Sequence, residues 1–326
     1  MEEKIVSRIK KFFKKDLRSL IYFITTKCQC KCPMCCYSAE LNRQVNELTL
    51  EEIEKITDYL PNLETLQVSG GEPFLRKDLY EVLEIFSRKC PHLKQIGIPT
   101  NGILQDVILS QCKKISRLYP ELSITVSIDG YKELHNEIRG VDCWDKAIET
   151  FKKLKMAGIK TSVNISLSKL TYDSYVNTIK FINTLGPDDI CIGLVRGKPD
   201  LMLSAEEFKK IRPEIERLIL WHRTPFYEKR QKLLNDAYYQ VLSGKKLPYR
   251  CWAGKIIAVL EPDGGVRSCE MRKVLGNVRD YDYNIKEILK LDNIPKDCSC
   301  IHGCFVGPSM SYSLPWILRN LFCRRK

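Results

Sequence analysis

Apolar residues along this chain form short runs that alternate with longer stretches in which apolar positions recur every three or four residues. The short runs are rich in β-branched residues and predict buried strands, whereas the longer stretches predict amphipathic helices. The predicted strands are residues 20–24, 63–68, 94–99, 122–130, 161–167 and 189–195. The predicted helices are residues 50–59, 74–89, 103–119, 143–157, 173–185, 204–222 and 226–243. This alternation predicts an α/β fold with a parallel sheet.

The six predicted strands favour a partial (β/α)6 TIM-like barrel over a doubly wound open sheet. Polar and glycine-rich segments stand at the predicted carboxyl ends of several strands, where barrels place their ligand sites. No G-x-G-x-x-G segment follows the first strand, so the sequence gives no support for a dinucleotide site there. We therefore expect a partial barrel that uses its top face.

The two ends of the chain are basic and amphipathic. Residues 2–19 predict a helix with one apolar face and a basic margin, and residues 314–326 combine apolar, aromatic and basic side chains. Each of the segments 1–20 and 314–326 carries a net charge of +4, out of +13 for the whole chain. Packing against the protein itself is the default expectation, and attachment to an anionic membrane surface is the alternative.

Composition places the chain among globular proteins, because 44% of its 326 residues are hydrophobic and 29% are charged. No apolar run reaches the ~18 residues of a spanning helix, and the N-terminus lacks the apolar core of a signal peptide. A cytoplasmic location is therefore expected, with peripheral attachment to the inner membrane surface as its extension. The 15 cysteines of a chain in a reducing compartment favour metal binding over disulfides.

Three thiols follow the first predicted strand in C-x3-C-x2-C spacing: Cys28, Cys32 and Cys35. Soft thiolates favour zinc or an iron–sulfur cluster. Zinc and a ferredoxin-type cluster each normally require a fourth ligand nearby. Three ligands on one short loop instead indicate a four-iron cluster with one open iron. Cys30 and Cys36 leave open which three thiols bind, and a zinc or purely structural loop remains the alternative.

This spacing resembles the CxxxCxxC signature of the radical S-adenosylmethionine (SAM) enzymes, although Met34 stands where the family usually has an aromatic residue. The segment Gly70-Gly71-Glu72-Pro73 ends the second strand and resembles the family motif that holds the amino group of SAM. Paired glycines also allow the backbone to come close to a ligand. The combination is far more specific than either motif alone.

Further segments match the family at the ends of later strands. Thr100-Asn101-Gly102 follows the third strand, and Ser127-Ile128-Asp129-Gly130 ends the fourth. Arg139, in an H-x3-R-G element that begins at His135, is the best candidate for the SAM carboxylate because a guanidinium binds a carboxylate bidentately. His135 itself is at least as well explained as a buried structural residue. The resemblance thus implies a SAM site of Gly70, Gly71, Glu72, Pro73, Thr100, Asn101, Ser127, Asp129, Arg139 and Asn164.

A second cysteine set follows a predicted hairpin over residues 256–267. Cys251 and Cys269 flank this hairpin in a C-x12-G-x4-C arrangement, and Cys298, Cys300 and Cys304 come later. Two thiols from a hairpin and two from a closing loop form a suitable cage for a second cluster, with zinc as the alternative.

The arrangement resembles the SPASM/Twitch extension of radical SAM enzymes, shortened so that it implies one auxiliary [4Fe–4S] cluster. Cys251, Cys269 and Cys304 are the expected ligands, and spacing favours Cys300 over Cys298 as the fourth. The role of Cys323 stays open. The other scattered cysteines, Cys90, Cys112, Cys143 and Cys191, are expected to be plain core residues.

The resemblance divides the chain into four parts. They are a basic amphipathic helix at 1–18, a radical SAM partial barrel at 19–235, a small α+β SPASM/Twitch-like auxiliary cluster domain at 236–310, and a basic aromatic tail at 311–326.

The implied activity is that of a radical SAM oxidoreductase or maturase. Its expected cofactors are a [4Fe–4S] cluster with an open iron site, SAM, and a second, auxiliary [4Fe–4S] cluster. The resemblance implies reductive cleavage of SAM to a 5′-deoxyadenosyl radical that abstracts hydrogen from a substrate. An external one-electron reductant of the flavodoxin or ferredoxin kind is expected as a partner.

A ribosomally made peptide or protein is the first expectation for the substrate, although a small molecule stays open. Fewer than 20 residues precede the first strand, which leaves no room there for a leader-peptide-binding domain. One alternative is a lipid or isoprenoid-linked substrate at a membrane surface. Another is a non-enzymatic iron–sulfur or zinc-binding module, which would not need the SAM-like motifs. Nucleic acid is not an expected partner. No catalytic side chain is assigned; Cys30, Cys36 and Tyr131 are candidates.

Overall fold

The computed structural model describes residues 16–220 and 225–313. Most of the helix predicted at 2–19 and nearly all of the basic tail lie outside this range. The helix prediction is wrong for residues 16–19, because the backbone N–H groups of Arg18 and Ser19 each donate to the carbonyl of Ile256 at 2.9 Å. The chain is therefore already paired with a later segment, and Ser19 begins the first strand.

Six strands form the parallel sheet that the sequence predicts. They are β1 (Ser19–Phe23), β2 (Thr65–Ser69), β3 (Gln95–Thr100), β4 (Leu122–Ser127), β5 (Lys160–Leu167) and β6 (Ile190–Leu194). Each strand pairs in parallel with the next along the chain. The α/β class and the partial TIM-like barrel are thereby confirmed.

Helices connect these strands and continue beyond them. They are α1 (Leu50–Thr57), α2 (Leu79–Lys89), α3 (Gln105–Leu118), α4 (Lys132–Arg139), α5 (Trp144–Met156), α6 (Tyr175–Thr184), α7 (Ala205–Leu220), α8 (Pro225–Leu242), α9 (Ile285–Leu289) and α10 (Gly303–Ser311). The start of α1 has a full capping box, in which Thr49 and Glu52 satisfy each other's backbone N–H groups. Among the described helices, none combines the length and the apolar character needed to cross a membrane.

The predicted C-terminal hairpin belongs to the same sheet as the barrel. Strand β7 (Ile257–Leu260) pairs in parallel with β1, and β8 (Gly265–Arg267) pairs antiparallel with β7. A short β9 (Gly276–Asn277) ends the nine-stranded order β6-β5-β4-β3-β2-β1-β7-β8-β9. The predicted boundary between residues 235 and 236 falls inside α8, and the division into domains stays a prediction.

Alternation along the strands decides which residues face the barrel interior. In β2 and β4 every second side chain is fully buried beneath the helices, and the residues between them are half-buried. Ser69 of β2 and Ser127 of β4 are half-buried, as are Asn164 and Ser166 of β5, and all four stand near the carboxyl ends of their strands. The period of two thus places polar residues together at one end of the barrel.

Candidate functional site

A cavity of about 600 Å³ lies at the carboxyl ends of the strands. Its walls include the inward-facing Ser127 and Asn164, and Cys32 and Cys35 from the loop after β1. This is the end of a barrel at which active sites are found. Of the residues predicted to bind SAM, Gly70, Ser127, Arg139 and Asn164 line the cavity, and the other six do not.

The two glycines after β2 are required by the protein's own backbone. The N–H of Gly71 donates to the Thr25 carbonyl at 2.8 Å, and the N–H of Glu72 donates to the Lys27 carbonyl at 2.7 Å. A Cβ at Gly70 or Gly71 would overlap one of these carbonyl oxygens. The motif therefore fastens the end of β2 to the start of the cysteine loop, and the contact of these glycines with SAM stays a prediction.

Glu72 joins this segment to the next strand. Its carboxylate is 1% exposed and accepts hydrogen bonds from Thr100 Oγ1 at 2.9 Å, from the Asn101 N–H at 2.7 Å and from the Phe74 N–H at 3.3 Å. Burial raises the pKa of Glu72 to about 7, although these hydrogen bonds act to lower it. Pro73 begins the 3-10 turn that follows. Glu72, Thr100 and Asn101 thus form a buried support behind the cavity wall.

Arg139 connects the fourth strand with the cysteine loop. It forms an ion pair with the fully buried Asp129, whose other oxygen accepts from the Ser166 N–H at 2.8 Å. Arg139 also donates to Cys32 Sγ at 3.7 Å, and its Nε is buried without a hydrogen-bond partner. Burial is the largest influence and acts to lower the pKa of Arg139, but Asp129 and the neighbouring cysteines together raise the pKa above its ordinary value. The guanidinium is therefore fixed and charged, with one donor left unpaired.

The cysteine loop is held from both sides. Asn42 exchanges two hydrogen bonds with the backbone of Cys28, at 3.0 and 3.1 Å, and the Lys31 N–H donates to the Arg139 carbonyl at 2.8 Å. A hydrogen bond from Cys30 lowers the pKa of Cys28 to about 6 and that of Cys32 to about 7. Burial raises the pKa of Cys35.

The donor set of this loop fits an iron–sulfur cluster. Thiolate is the form that binds iron, and two of the three predicted ligands favour it near neutral pH. Among the residues described, no three His, Cys, Asp or Glu side chains are grouped to hold a single metal ion. The ligand role of Cys28, Cys32 and Cys35 stays a prediction.

Four thiols of the second set are neighbours. Cys251 and Cys269 are buried in one apolar cluster, against which Cys298 packs. Cys298 hydrogen bonds with Cys251, and Cys300 lies close enough to influence Cys269 electrostatically. Cys300 in turn accepts a hydrogen bond from the His302 N–H at 3.5 Å. The structure thus brings Cys298 as well as Cys300 to Cys251 and Cys269.

Cys304, a ligand that the spacing favoured, has other neighbours, and its ligand role stays a prediction. It lies in the first turn of α10 and lines the cavity, where Glu270 and Arg196 are its charged neighbours. Cys304 is exposed to the cavity, and desolvation by the surrounding cavity wall raises its pKa to about 11. Chain spacing cannot reveal this difference, because the start of α10 decides on which side the thiol lies.

A polar cluster that sequence reasoning missed forms another part of the cavity wall. Glu270 pairs with Arg196 and with His302, whose Nε2 lies 2.9 Å from the carboxylate. Cys36 lies 3.6 Å from Arg196 and 3.8 Å from Glu270. Burial acts to raise the pKa of Glu270, but His302 and Arg196 outweigh it and lower the pKa to about 2. These residues come from distant segments of the chain. In the sequence, only the position of Arg196 directly after β6 indicated that one of them would lie at the site.

The remaining candidates are placed clearly. Of the three candidate catalytic side chains, Cys36 lines the cavity and Cys30 does not. Tyr131 is 46% exposed and packs on Phe181, away from the cavity. His135 is fully buried with both ring nitrogens in contact with partners, which agrees with a structural role. Cys191 is an exposed residue rather than the core residue that was expected.

The chain is similar to known proteins over most of its length. Residues 22–182 match the model of the Radical SAM superfamily. A probable GTP 3′,8-cyclase of Sulfurisphaera tokodaii is 28% identical over 295 residues, which are 86% of this chain and 88% of the relative. PqqA peptide cyclase of Bradyrhizobium diazoefficiens is 30% identical over 141 residues, which are 39% of this chain and 35% of that protein.

A solved structure shows the same fold. SuiB of Streptococcus suis, bound to its precursor peptide SuiA, superposes with a TM-score of 0.64 at 16% sequence identity. The match covers 87% of this chain and 68% of SuiB.

Proposed function

We propose that the substrate of this chain is a ribosomally made peptide or protein. The chain belongs to the radical SAM superfamily and is an enzyme of that class. The family implies a [4Fe–4S] cluster and SAM, which together supply a 5′-deoxyadenosyl radical when bound. In our proposal Cys28, Cys32 and Cys35 hold the first cluster. Of the ten residues predicted from the sequence for the SAM site, Gly70, Ser127, Arg139 and Asn164 line the cavity and would contact SAM, and the other six would support them.

The observation that carries the proposal is the composition of the cavity wall. Cys32, Cys35 and Arg139 line one part of it, and Glu270, His302 and Cys304 from the C-terminal segment line another. A cavity of about 600 Å³ has the size of a small-ligand site, so a peptide would insert only one or a few residues beside SAM. SuiB, which shares the fold, is known with a precursor peptide bound, and a PqqA peptide cyclase is among the relatives.

In this proposal the chain's own residues position SAM and the substrate and shield them from water. Arg139 keeps its unpaired Nε for a SAM carboxylate, while Asp129 holds the guanidinium in place. Apolar residues of β6 and α7, among them Leu194 and Ile215, exclude water from the cavity. The polar cluster of Glu270, Arg196 and His302 offers hydrogen-bonding groups to the inserted part of the substrate.

We also propose an auxiliary [4Fe–4S] cluster beside the cavity. Its ligands would be Cys251, Cys269, Cys298 and Cys300, the four thiols that are neighbours. Cys304, expected from spacing, would instead face the substrate. A one-electron reductant of the flavodoxin or ferredoxin kind would serve as the external partner.

Deuterium transfer tests the substrate class. A peptide fraction from cells grown on deuterated amino acids is supplied to the reconstituted enzyme with SAM and dithionite, under strict exclusion of oxygen. We expect deuterium in the 5′-deoxyadenosine product. Deuterium-free product from the whole peptide fraction, at undiminished SAM cleavage, would overturn the proposal.

A second candidate is a nucleoside triphosphate substrate. The relative described as a probable GTP 3′,8-cyclase is matched over 88% of its length, and Arg196 and Arg230 line the cavity, where phosphates would find cationic partners. The same assay decides, with ribose-deuterated GTP in place of the peptides. Transfer from GTP and none from peptides would establish this candidate in place of the first.

The membrane alternative rests on the two basic ends, which lie almost wholly outside the described residues, and it stays a prediction. Sedimentation with phosphatidylcholine vesicles, with and without phosphatidylglycerol, tests it. Binding that requires the anionic lipid and weakens with salt would support it, and absence of binding would remove it. The non-enzymatic module is not retained, because the relatives indicate an enzyme.

A further inference from the structure

Three arginines of the described part of the chain line the cavity, and two of them have a buried carboxylate as partner. Arg139 pairs with Asp129. Arg196 pairs with Glu270. The third is Arg230 of α8, which is half-buried. Among the residues that the structure describes, no carboxylate forms an ion pair with Arg230 and no oxygen accepts a hydrogen bond from it.

The acids that share a helix with Arg230 have other partners. Glu228 pairs with Lys232 at 2.6 Å, on the exposed side of α8. Asp236 pairs with Arg212 of the neighbouring helix α7 at 2.7 Å. Arg230 is therefore not neutralised by its own helix.

The acids on the cavity wall are engaged as well. Glu270 pairs with Arg196, as described above. Glu216 pairs with Arg212 at 2.6 Å, and Asp189 Oδ1 accepts the N–H of the following residue at 2.8 Å. A counter-charge for the guanidinium of Arg230 is thus left to a ligand that enters the cavity.

The surroundings of Arg230 favour such a ligand. The guanidinium lies beside Gly307 of α10, where a Cβ would stand only 3.1 Å from Nη2 of Arg230. Leu234, one turn further along α8, and Ile215 of α7 give the cavity an apolar wall. A charge in apolar surroundings is costly without a partner, and the planar fork of a guanidinium matches a carboxylate.

We infer that Arg230 binds a carboxylate of the substrate in the cavity and so selects peptides that carry an acidic group at the inserted position. The group is an aspartate or glutamate side chain or the C-terminal carboxylate. The inference rests on the proposed peptide substrate and specifies its chemistry. One unpaired guanidinium balances the single charge of a carboxylate, whereas a triphosphate carries several charges and would require further cations. Arg230 is a specificity-determining residue and has no role in SAM cleavage.

A solvated arginine without a ligand is the simplest alternative, since long charged side chains usually direct their charge into water. Lys232 provides the comparison within α8. It is exposed, pairs with Glu228, and is not part of the cavity wall. If Arg230 serves only solubility, its replacement should have the same effect as Lys232→Met.

Deuterium transfer from chemically modified peptides tests the inference. The deuterated peptide fraction is divided into three portions, for the reconstituted holoenzyme with SAM and dithionite. One portion stays untreated, and one is esterified with acidic methanol, which removes the charge of every carboxylate. The third is amidated at its C-termini alone, by carboxypeptidase-catalysed exchange with glycinamide. Wild type should transfer deuterium from the untreated portion and lose this transfer with the esterified one. The amidated portion distinguishes a side-chain carboxylate, which keeps transfer, from a C-terminal one, which loses it.

Substitutions of Arg230 give the second measurement. Arg230→Met should raise the peptide concentration for half-maximal transfer ~10- to 100-fold, because the substrate carboxylate loses a charged donor. Arg230→Lys, which keeps the charge, should raise it less, and Lys232→Met should match wild type. SAM cleavage without peptide should be equal in all four proteins. An unpaired cation stabilises nothing in the free protein, so Arg230→Met should keep or raise the urea midpoint of wild type.

Equal transfer from the untreated and esterified portions would overturn the inference and leave the peptide substrate in place. The same follows if Arg230→Met behaves as Lys232→Met does, or if its transfer and its urea midpoint fall together, because Arg230 would then be a structural residue. No transfer from any peptide portion, at undiminished SAM cleavage, would reject the peptide substrate and the carboxylate with it. Transfer from ribose-deuterated GTP that Arg230→Met weakens would then assign this residue to a phosphate.

Discussion

The two cysteine sets of this chain are built in opposite ways. The first set lies within eight residues of one loop. Hydrogen bonds to the side-chain amide of Asn42, and to the backbone of Arg139 and of the segment after β2, surround that loop. The second set is gathered from segments almost fifty residues apart by the hairpin of β7 and β8 and by the chain before α10. A local motif can be interpreted by spacing alone, whereas an assembled site depends on tertiary packing.

That difference bears on Cys304, a ligand that the spacing favoured. Between Cys300 and Cys304 the chain makes the turn that begins α10, and His302 packs against Phe305 and pairs with Glu270. These contacts place Cys304 on the cavity side. Nothing in a C-x3-C spacing carries this information.

The largest effect on SAM cleavage is expected from a substitution in the first cysteine set. Cys32→Ala removes a predicted ligand that also contacts Arg139, so SAM cleavage should fall to background and about four irons of about eight should be lost. Anaerobic 5′-deoxyadenosine formation and iron analysis check this. Cys112→Ala, a buried thiol of α3 outside the loop, is the control and should keep both properties. Undiminished cleavage by Cys32→Ala would refute the ligand role.

The assembled set is tested by a matched pair. Cys298→Ala should remove about four irons, because Cys298 lies against Cys251, whereas Cys304→Ala should keep the full content. Iron and sulfide analysis of the two proteins, prepared side by side, gives the answer. Loss of iron in Cys304→Ala and not in Cys298→Ala would show that Cys304 is the ligand, as the spacing favoured.

A smaller effect should follow from Gly71→Ala. Its Cβ would lie 2.5 Å from the carbonyl carbon of Lys27, so the cysteine loop must shift, and overpacking of this kind costs about 1–3 kcal/mol. Gly193→Ala is the control for stability, because its nearest neighbour would be Asn164 Oδ1 at an ordinary 3.7 Å. Urea unfolding of the two variants compares them. Equal urea midpoints for Gly71→Ala and Gly193→Ala would show that the segment after β2 does not pack tightly against the cysteine loop.

The mildest test uses pH. The pKa of Glu270 is lowered to about 2 in the fold from an ordinary 4.5, so its pairing stabilises the protein fully above pH 4.5. This contribution should disappear as the pH falls from 4.5 towards 2. Wild type should therefore lose its stability advantage over Glu270→Gln in that window, as measured by urea unfolding at pH 7 and pH 3. A constant difference would show that Glu270 is not held ionised by Arg196 and His302.

Sequence reasoning predicted the parts of the molecule that depend on local pattern. The family resemblance pointed to Ser127 and Asn164, which line the cavity. The alternation of apolar positions predicted the six barrel strands within about two residues in most cases. It did not give the parallel pairing of β7 with β1, since pairing between distant strands leaves no periodic trace. The cluster of Arg196, Glu270 and His302 was hidden for the same reason.

The account is tested most directly by counting irons in anaerobically reconstituted wild type and in Cys251→Ala/Cys269→Ala, with dithionite-driven 5′-deoxyadenosine formation measured on the same samples. We predict about eight irons in wild type, about four in the double variant, and SAM cleavage in both. About four irons in wild type, unchanged by the double substitution, would contradict the account, because the assembled cysteines would then hold no cluster.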